Sequence, residues 1–448
     1  MAHFGYDQGI FAGVLISPDF LAIFPETKDP SISGITSSCF SLGAFFGCVA
    51  SFLLGDRLGR KKSVYVGLAV NVLGVVLQIA AYHLPQMIVG RILNGFGMGI
   101  TSSTCPVFVA EASPYHIRGK LVVIGSLCNT VGFCLANWMN YGLFEHNGPL
   151  QWRFPLAFQL VFSLIVLISL PLTVESPRWY MLRGRFQEAR ATLAQLRGTD
   201  GAPNDRYVET DLRSIQEALQ HEQSAHVSIV DTLLCRDPLQ SLRRLVLRQV
   251  AQKAPINHGY EVDSLKLRLM MYGSIAMGSC YLIAAVTLRE AKIHPEQKSA
   301  LGKATVAMFF LYYFCYGTSF AKVPWVYNSE INSLGWRTRG AAAATATNWM
   351  SGFVIVQFTK VGVNNLGWGF YLLFAGFCWS YLPTVFLFYP ETSNRTLEDM
   401  DEIFRDHGGI LVFRDKVLTQ RSRPREFEEA EQRRMTEASA SAQESQSV

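Results

Sequence analysis

Long apolar runs, rather than a regular alternation of apolar and polar positions, dominate this chain. Seven runs carry no acidic or basic side chain, and two more carry one each, Arg91 and Lys322. The nine runs cover residues 31–54, 63–82, 87–110, 121–144, 154–174, 269–288, 304–329, 340–359 and 366–390. Each has the roughly 20 residues that a helix needs to cross a bilayer core. Because backbone groups in lipid must pair within their own segment, we predict nine full transmembrane helices, preceded by a shorter apolar stretch at 8–25.

Composition supports an all-α, polytopic membrane protein and argues against several other classes. Charged residues make up 17% of the 448 residues and hydrophobic residues 49%, whereas soluble chains average roughly 25% charged residues. Eight of the nine cysteines are scattered singly through the apolar runs and Cys235 lies in the polar stretch at 176–262, without the spacing of metal ligands or of a disulfide framework. The net charge of +5 lies mainly in loops, so nucleic acid is not indicated as a partner. We expect that the protein binds no metal and no cofactor and is not an enzyme, because the sequence contains no recognisable nucleophile–base pair.

Basic residues in alternate loops predict the orientation of the helices. Four of them follow the second apolar segment: Arg57, Arg60, Lys61 and Lys62. The connections at 83–86 and 145–151, on the opposite side, contain neither Lys nor Arg. Since Lys and Arg accumulate in cytoplasmic loops, we expect the N- and C-termini to lie in the cytoplasm.

Two related halves flank a polar centre. The stretch EASPYHIRGK, which begins at Glu111, is echoed by EINSLGWRTRGA, which begins at Glu330. Parallel repeats of this kind are typical of transporters whose substrate site lies between the halves. We therefore predict four parts: an N-terminal transmembrane half at 1–175, a cytoplasmic helical linker at 176–262, a C-terminal transmembrane half at 263–403, and a cytoplasmic tail at 404–448 that is disordered.

The motifs of this chain resemble those of the major facilitator superfamily, in its sugar porter branch, of the fungal hexose transporter type. The matching stretches, in family order, are FGYDQGIFAGV, GDRLGRKK, VGRILNGFGMG, VFVAEASPYHIRG, VESPRWYMLRGR, VPWVYNSEI and YPETSNRTLEDM. The resemblance covers about residues 1–410 and implies a helical bundle of two halves. Members have twelve helices. Against that pattern, this chain lacks the first half of helix 1 and helices 7 and 8, and QKAPIN at 252–257 is a degenerate remnant of the seventh.

The resemblance implies a secondary active transporter that moves a monosaccharide, such as a hexose, together with a proton by alternating access. It also implies a monomer in the plasma membrane that carries out no covalent chemistry. Because two helices are missing from the pattern, two alternatives stay open. One is a transport-inactive sugar sensor or regulatory protein, and the other is a non-functional product of a truncated gene model.

Asp7 and Arg91 are the candidate proton-coupling residues. An ionised side chain near the middle of a bilayer costs about 2.5–3.5 kcal/mol on insertion scales, so such side chains are usually paired and functional. The resemblance implies that the first-helix acid and the fourth-helix Arg couple proton movement to sugar movement. Burial favours the neutral acid and a guanidinium favours the charged one, so protonation can make or break the pair. A purely structural ion pair is the alternative.

Amide and indole side chains are the candidate sugar contacts, because amides hydrogen-bond hydroxyl groups and indoles cover the apolar face of a sugar ring. The resemblance assigns this role to Asn129, Trp325, Asn348 and Trp349. Ser126 stands where the family usually has a fifth-helix Gln, which leaves the sugar unspecified. Packing is the alternative role for each Trp or Asn taken alone.

Eight charged residues resemble the cytoplasmic salt-bridge network that holds the outward-facing state in this family. They are Asp56, Arg60, Glu111, Arg118, Glu175, Arg178, Glu330 and Arg339. Asp56 and Arg60 are expected to pair with the helix ends that carry Glu111 and Arg118. Further pairs are expected between Glu175 and Arg178 and between Glu330 and Arg339. Membrane anchoring by positive charge alone is the alternative role.

Overall fold

The computed structural model describes residues 1–113, 115–146, 148–197, 208–213, 266–320 and 337–388, and the single positions 215, 216, 219, 429 and 432. These ranges are helical apart from short turns, and no strand occurs among them. The all-α fold predicted from the apolar runs is confirmed.

Helix α1 (Ala2–Val14) and the short helix α2 (Pro18–Ile23) replace the single apolar stretch that we predicted at 8–25. Ser17, between them, has the extended conformation that a residue before proline prefers, and Pro18 then begins a new helix. The predicted start was wrong by six residues, because polar side chains at the beginning of α1 are buried by tertiary contacts.

Nine helices of twenty or more residues follow in the described part of the chain, one for each apolar run. The first five are α3 (Pro30–Leu58), α4 (Arg60–Ile79), α5 (Leu84–Ala112), α6 (Tyr115–Gly142) and α7 (Leu150–Ser169). After the short linker helices α8 (Pro177–Leu182) and α9 (Phe186–Arg197) come α10 (Lys266–Ile293), α11 (Lys298–Ser319), α12 (Arg337–Leu366) and α13 (Gly369–Phe388). Within these ranges six helices are long and apolar enough to cross a membrane: α3, α4, α5, α7, α10 and α13.

Small residues allow α5 to pack closely between α3 and α4. A Cβ added at Gly95 of α5 would overlap the backbone of Phe40 in α3. A Cβ added at Gly74 of α4 would overlap the backbone of Asn94 in α5. The small residues of GFGMG at 95–99 therefore form a helix-packing face, as small residues often do in membrane bundles.

The two halves meet through α12, which packs mainly against α3 and also against α5, whereas α10 packs against α11 and α13. A buried apolar cluster lies at this contact and contains Phe40, Ala44, Cys48, Met98, Ala346 and Trp349. The linker has a small core of its own, where α8 and α9 pack against Val208, Ile215 and Leu219. The amphipathic linker helices predicted beneath the membrane are therefore folded against one another.

Candidate coupling site and gate

Asp7 lies in the interior of the N-terminal half, with only 2% of its surface exposed. It is on α1, which packs against α6 and α7. Its Oδ1 accepts a hydrogen bond from Asn94 Nδ2 on α5 at 3.2 Å. Its Oδ2 has no hydrogen-bond partner among the described residues. A carboxylate with one free oxygen in a buried site is well placed to take up a proton, because the neutral form loses less on desolvation.

Arg91 lies on α5, one turn before Asn94, and only 3% of its surface is exposed. Its guanidinium carbon is 3.7 Å from the centroid of the Phe11 ring on α1 and 4.9 Å from that of Phe40 on α3. Nη2 donates to the carbonyl oxygen of Ser37 at 3.1 Å, whereas Nε and Nη1 have no hydrogen-bond partner in the described structure. Cation–π contacts thus replace part of its hydration.

Asp7 and Arg91 line the same buried region but do not form the ion pair that the sequence suggested. The described contacts of Asp7 are with Asn94, and those of Arg91 are with Ser37, Cys39, Phe11 and Phe40. Phe11, one turn after Asp7 on α1, lies against the guanidinium instead. The acid and the base are therefore held close together while each keeps unused hydrogen-bonding capacity.

Three of the candidate sugar contacts lie in the described part of the chain. Asn129 is buried where α6 crosses Gly5 of α1, and its Oδ1 has no described hydrogen-bond partner. Trp349 is 6% exposed and packs edge-on against Phe4 and Phe40, with its indole N–H donating to Ser102 Oγ at 3.3 Å. Asn348 is half-buried beside it. Trp349 thus joins the two halves, while Trp325 lies outside the described residues.

At the predicted cytoplasmic face, Arg60 and Glu111 form a buried bidentate ion pair. Arg60 Nε and Nη2 donate to the two Glu111 carboxylate oxygens at 2.8 and 2.9 Å. The positive φ of 86° at Gly59 makes the sharp junction between α3 and α4 that places Arg60 at the start of α4. Gly55 lies in the last turn of α3.

Glu175 uses both carboxylate oxygens on backbone amides rather than on the Arg178 guanidinium that we expected. Oε1 accepts from the amide nitrogen of Arg60 at 3.1 Å, and Oε2 accepts from that of Lys61 at 3.0 Å. This contact caps the N-terminus of α4, where an anion is favoured by the unpaired N–H groups. Arg178 donates to the carbonyl oxygen of Glu111 at 3.2 Å. Arg178 therefore contacts the same helix end as Arg60.

One ion pair of this face connects the two halves. Arg339 Nε on α12 lies 3.2 Å from Asp56 Oδ2 on α3, and both side chains are partly exposed, at 35% and 26%. Asp56 also lies 4.0 Å from Arg60. We use the name gate cluster for Asp56, Arg60, Glu111, Glu175, Arg178 and Arg339. Glu330, the partner expected for Arg339, and the side chain of Arg118 lie outside the described residues.

Sequence reasoning missed several polar residues that the fold brings to the coupling site. His3, one turn before Asp7, is buried against the Phe162 ring, with 6.0 Å between ring centroids. Gln159 on α7 accepts from Asn94 at 3.2 Å. At the other side of α3, Gln357 of α12 donates to Ser38 Oγ at 2.7 Å. Amides isolated within apolar runs were the available signal. Among the described residues, no group of three or more His, Cys, Asp or Glu side chains is arranged to hold a metal ion.

Comparison with known proteins gives consistent matches over nearly the whole chain. The family model described as "Sugar (and other) transporter" matches residues 2–254 and 262–404. The MFS-type transporter oryC of Aspergillus oryzae is 35% identical, over 98% of this chain and 90% of the relative. The sugar transporter STL1 of Saccharomyces cerevisiae is 32% identical, over 90% of this chain and 79% of the relative.

The solved structures that match show the same fold at low sequence identity. The proton:xylose symporter XylE bound to 6-bromo-6-deoxy-D-glucose superposes with a TM-score of 0.71 at 19% identity, over 90% of this chain and 96% of that chain. Its inward-open conformation from E. coli gives a TM-score of 0.63, also at 19% identity, over 90% and 97% of the two chains. The helical arrangement is therefore that of a major facilitator transporter.

The alignments also contain positions that this chain lacks. The match to the Aspergillus oryzae transporter extends over 491 aligned positions, whereas this chain has 448 residues, so at least 43 positions of the relative have no counterpart here. That length corresponds to about two membrane-spanning helices. The match to the family model is interrupted at 255–261, within the region where the sequence pattern lacks helices 7 and 8.

Proposed function

The chain belongs to the sugar transporter family of the major facilitator superfamily, and from that membership we propose that it moves a monosaccharide together with a proton by alternating access. Its relatives are transporters rather than enzymes, and the protein is a multi-pass membrane protein. The observation that carries the proposal of proton coupling is the incomplete pairing of Asp7 and Arg91. Both are buried, and both keep polar atoms without described partners.

The coupling follows from the cost of burying charge. A buried carboxylate without a full set of partners is disfavoured relative to its neutral form, so proton uptake at Asp7 lowers the cost of occluding the site. A charged Asp7 is instead attracted to Arg91, which has two nitrogens available. Proton loss would then draw the α1 carboxylate toward α5. Such a two-state element can link proton release to the movement of one half against the other.

The gate cluster supports alternating access. The Asp56–Arg339 ion pair joins α3 to α12 at the predicted cytoplasmic face, which supports a conformation closed on that side. Opening toward the predicted cytoplasm requires this partly exposed pair to separate, which costs little because exposed ion pairs contribute about 0–1 kcal/mol.

A monosaccharide is proposed as the substrate because several relatives are described as sugar or glucose transporters. Asn129 and Asn348 offer amide groups near the contact between the halves, where Asn129 Oδ1 has no described partner. We place the protein in the plasma membrane with both termini in the cytoplasm, in accord with the distribution of basic residues.

The proposal is tested by measuring labelled glucose and xylose uptake, with and without a protonophore, in a host that lacks hexose carriers. Wild type should accumulate one of these sugars above its external concentration at acidic external pH. Asp7→Asn should reduce accumulation at least tenfold, because the neutral amide binds no proton. It should still exchange sugar across the membrane when the concentrations on the two sides are equal. Glu26→Gln, at an exposed acid outside the coupling site, is the control and should leave accumulation unchanged.

A second candidate, a sugar sensor that binds without transport, is favoured by the alignment positions that this chain lacks. It predicts sugar binding by the purified protein with no uptake by the host. Accumulation in wild type that Asp7→Asn leaves intact would remove Asp7 from the mechanism. If the protein neither binds nor takes up any sugar, that result would support a non-functional product.

A further inference from the structure

A continuous chain of buried hydrogen bonds ends on the Asp7 carboxylate. Ser163 Oγ on α7 lies 3.5 Å from Asn71 Oδ1 on α4, and Asn71 Nδ2 donates to Asn94 Oδ1 on α5 at 2.5 Å. Asn94 Nδ2 then donates to Asp7 Oδ1 on α1 at 3.2 Å. None of the four residues is more than 2% exposed. The contacts link four helices, α7, α4, α5 and α1.

The ionised carboxylate fixes the direction of every bond in this chain. A carboxylate can only accept, so Asn94 must turn its NH₂ group toward Asp7 and its carbonyl oxygen toward Asn71. Asn71 must then present its own NH₂ group to Asn94, which leaves its carbonyl oxygen for the hydroxyl of Ser163. Aligned hydrogen bonds of this kind polarise and strengthen one another in a low-dielectric interior. The arrangement therefore stabilises the charged form of Asp7.

Helix packing shows that the contact between the two Asn residues depends on two glycines. Gly74 allows the backbone of α4 to lie against Asn94, and a Cβ added at Gly97 would overlap the backbone of Asn71. With larger side chains at these positions, α4 and α5 could not approach closely enough for short amide side chains to meet. Two buried amides in apolar runs, facing each other across such a contact, are costly unless each is hydrogen-bonded.

Other titratable and charged groups surround Asp7. His3 and Tyr6 lie on its own helix, and the Tyr6 hydroxyl donates to the carbonyl oxygen of Pro155 on α7 at 2.9 Å. Arg91 approaches from α5, and Cys39 of α3 lies next to Phe40, which contacts the guanidinium. Among the groups around Asp7, Asn94 is the one that hydrogen-bonds its carboxylate in the described structure.

We propose that Asn71 and Asn94 are positioning residues for proton coupling, with the chain from Ser163 through both amides holding Asp7 in its charged form and setting the pH at which it takes up a proton. This inference rests on the proposed function, since it assigns a role to residues that act through Asp7. Protonation of Asp7 weakens the charge-assisted hydrogen bond that Oδ1 accepts from Asn94, while the same NH₂ group keeps Gln159 Oε1 as its second acceptor. Protonation of Asp7 thereby changes the strength of the hydrogen bonds that connect α5 to α4 and α4 to α7.

The test compares the pH dependence of proton-driven sugar uptake in Asn71→Leu and Gln78→Leu. Asn71 does not contact Asp7, and leucine has a similar volume but cannot orient Asn94. The pH of half-maximal uptake should move upward by about one unit in Asn71→Leu, because the carboxylate loses a fixed donor. The sugar concentration for half-maximal uptake should change less than twofold, because the sugar site is untouched.

Gln78→Leu is the matched control, because Gln78 is on the same helix, is fully buried, and also bridges α4 to α5 through the carbonyl oxygen of Gly90 at 3.3 Å. It should leave the pH midpoint unchanged. Should Asn71→Leu not reach the membrane, Asn71→Ala removes the same amide and is expected to give the same shift.

The outcomes separate the two proposals. A wild-type protein with no pH-dependent uptake would overturn both the proposed function and this inference. If wild-type uptake depends on pH but the pH of half-maximal uptake moves equally little in Asn71→Leu and in Gln78→Leu, this inference alone would be overturned.

Discussion

The interiors of the two halves differ in kind although both are built from long apolar helices. In the N-terminal half, four acidic or basic side chains are at most 3% exposed: Asp7, Arg60, Arg91 and Glu111. In the described C-terminal half, the buried side chains classed as polar are hydroxyls: Ser274, Thr305, Ser319 and Thr345. Its centre is a set of aromatic rings instead, in which Tyr281 and Tyr312 lie 4.4 Å apart between centroids.

This difference indicates a division of labour between halves of similar helical design. The N-terminal half holds buried charges, each of which costs free energy unless its surroundings supply partners. The C-terminal half packs α10, α11 and α13 by ring contacts that tolerate small shifts. Among the described residues, buried acidic and basic side chains therefore lie in the N-terminal half, and α12 is the described helix that links them to the other half. Trp349, Gln357 and Arg339 provide that link at three levels along the helix.

The largest effect should come from breaking the buried pair of the N-terminal half. Glu111→Leu leaves the Arg60 guanidinium buried without its carboxylate, which should lower the free energy of unfolding by about 3–5 kcal/mol. Thermal unfolding of the detergent-purified protein measures this loss. The double variant Arg60→Leu with Glu111→Leu should recover most of it, since it removes both charges. Equal losses in the single and double variants would contradict the argument.

A smaller effect is expected from the aromatic centre of the C-terminal half. Tyr281 contacts Tyr312, Phe374, Tyr371 and Phe309, and its replacement by leucine keeps much of the apolar contact. Tyr281→Leu should lower the free energy of unfolding by about 0.5–1.5 kcal/mol, the contribution of aromatic pairing beyond burial. The neighbouring Leu282→Ala, at a more exposed position, serves as the control in the same unfolding assay. A loss as large as that of Glu111→Leu would remove the contrast between the halves.

The smallest effect on stability should come from the ion pair that joins the halves. Asp56→Asn removes the partly exposed partner of Arg339, and exposed pairs contribute about 0–1 kcal/mol. Unfolding measured at low salt and at about 1 M salt should show a small loss that vanishes at high salt, where the screening length falls to about 3 Å. A loss that persists at high salt would show that Asp56 belongs with the buried charges instead.

Much of the fold was predictable because apolar length alone specifies a spanning helix. Each of the nine predicted runs corresponds to one long helix in the described part of the chain. The pairing of Arg60 with Glu111 followed from the motif resemblance and is confirmed by the contact distances. The partners of Glu175 and Arg339 were not predictable. A charged side chain can pair with backbone amides or with several oppositely charged side chains that lie far apart in sequence.

The sequence by itself determined the class of the protein: a helical membrane transporter with two halves and an acid, Asp7, in its first helix. Hydrophobic length and short charged motifs carry that information locally, because lipid imposes the same requirement on every segment. The tertiary structure alone decided that Asp7 binds Asn94 rather than Arg91, that Trp349 joins the halves, and that Asn71 meets Asn94. These outcomes depend on which helix faces cross, and glycines such as Gly74 and Gly97 set how closely they approach.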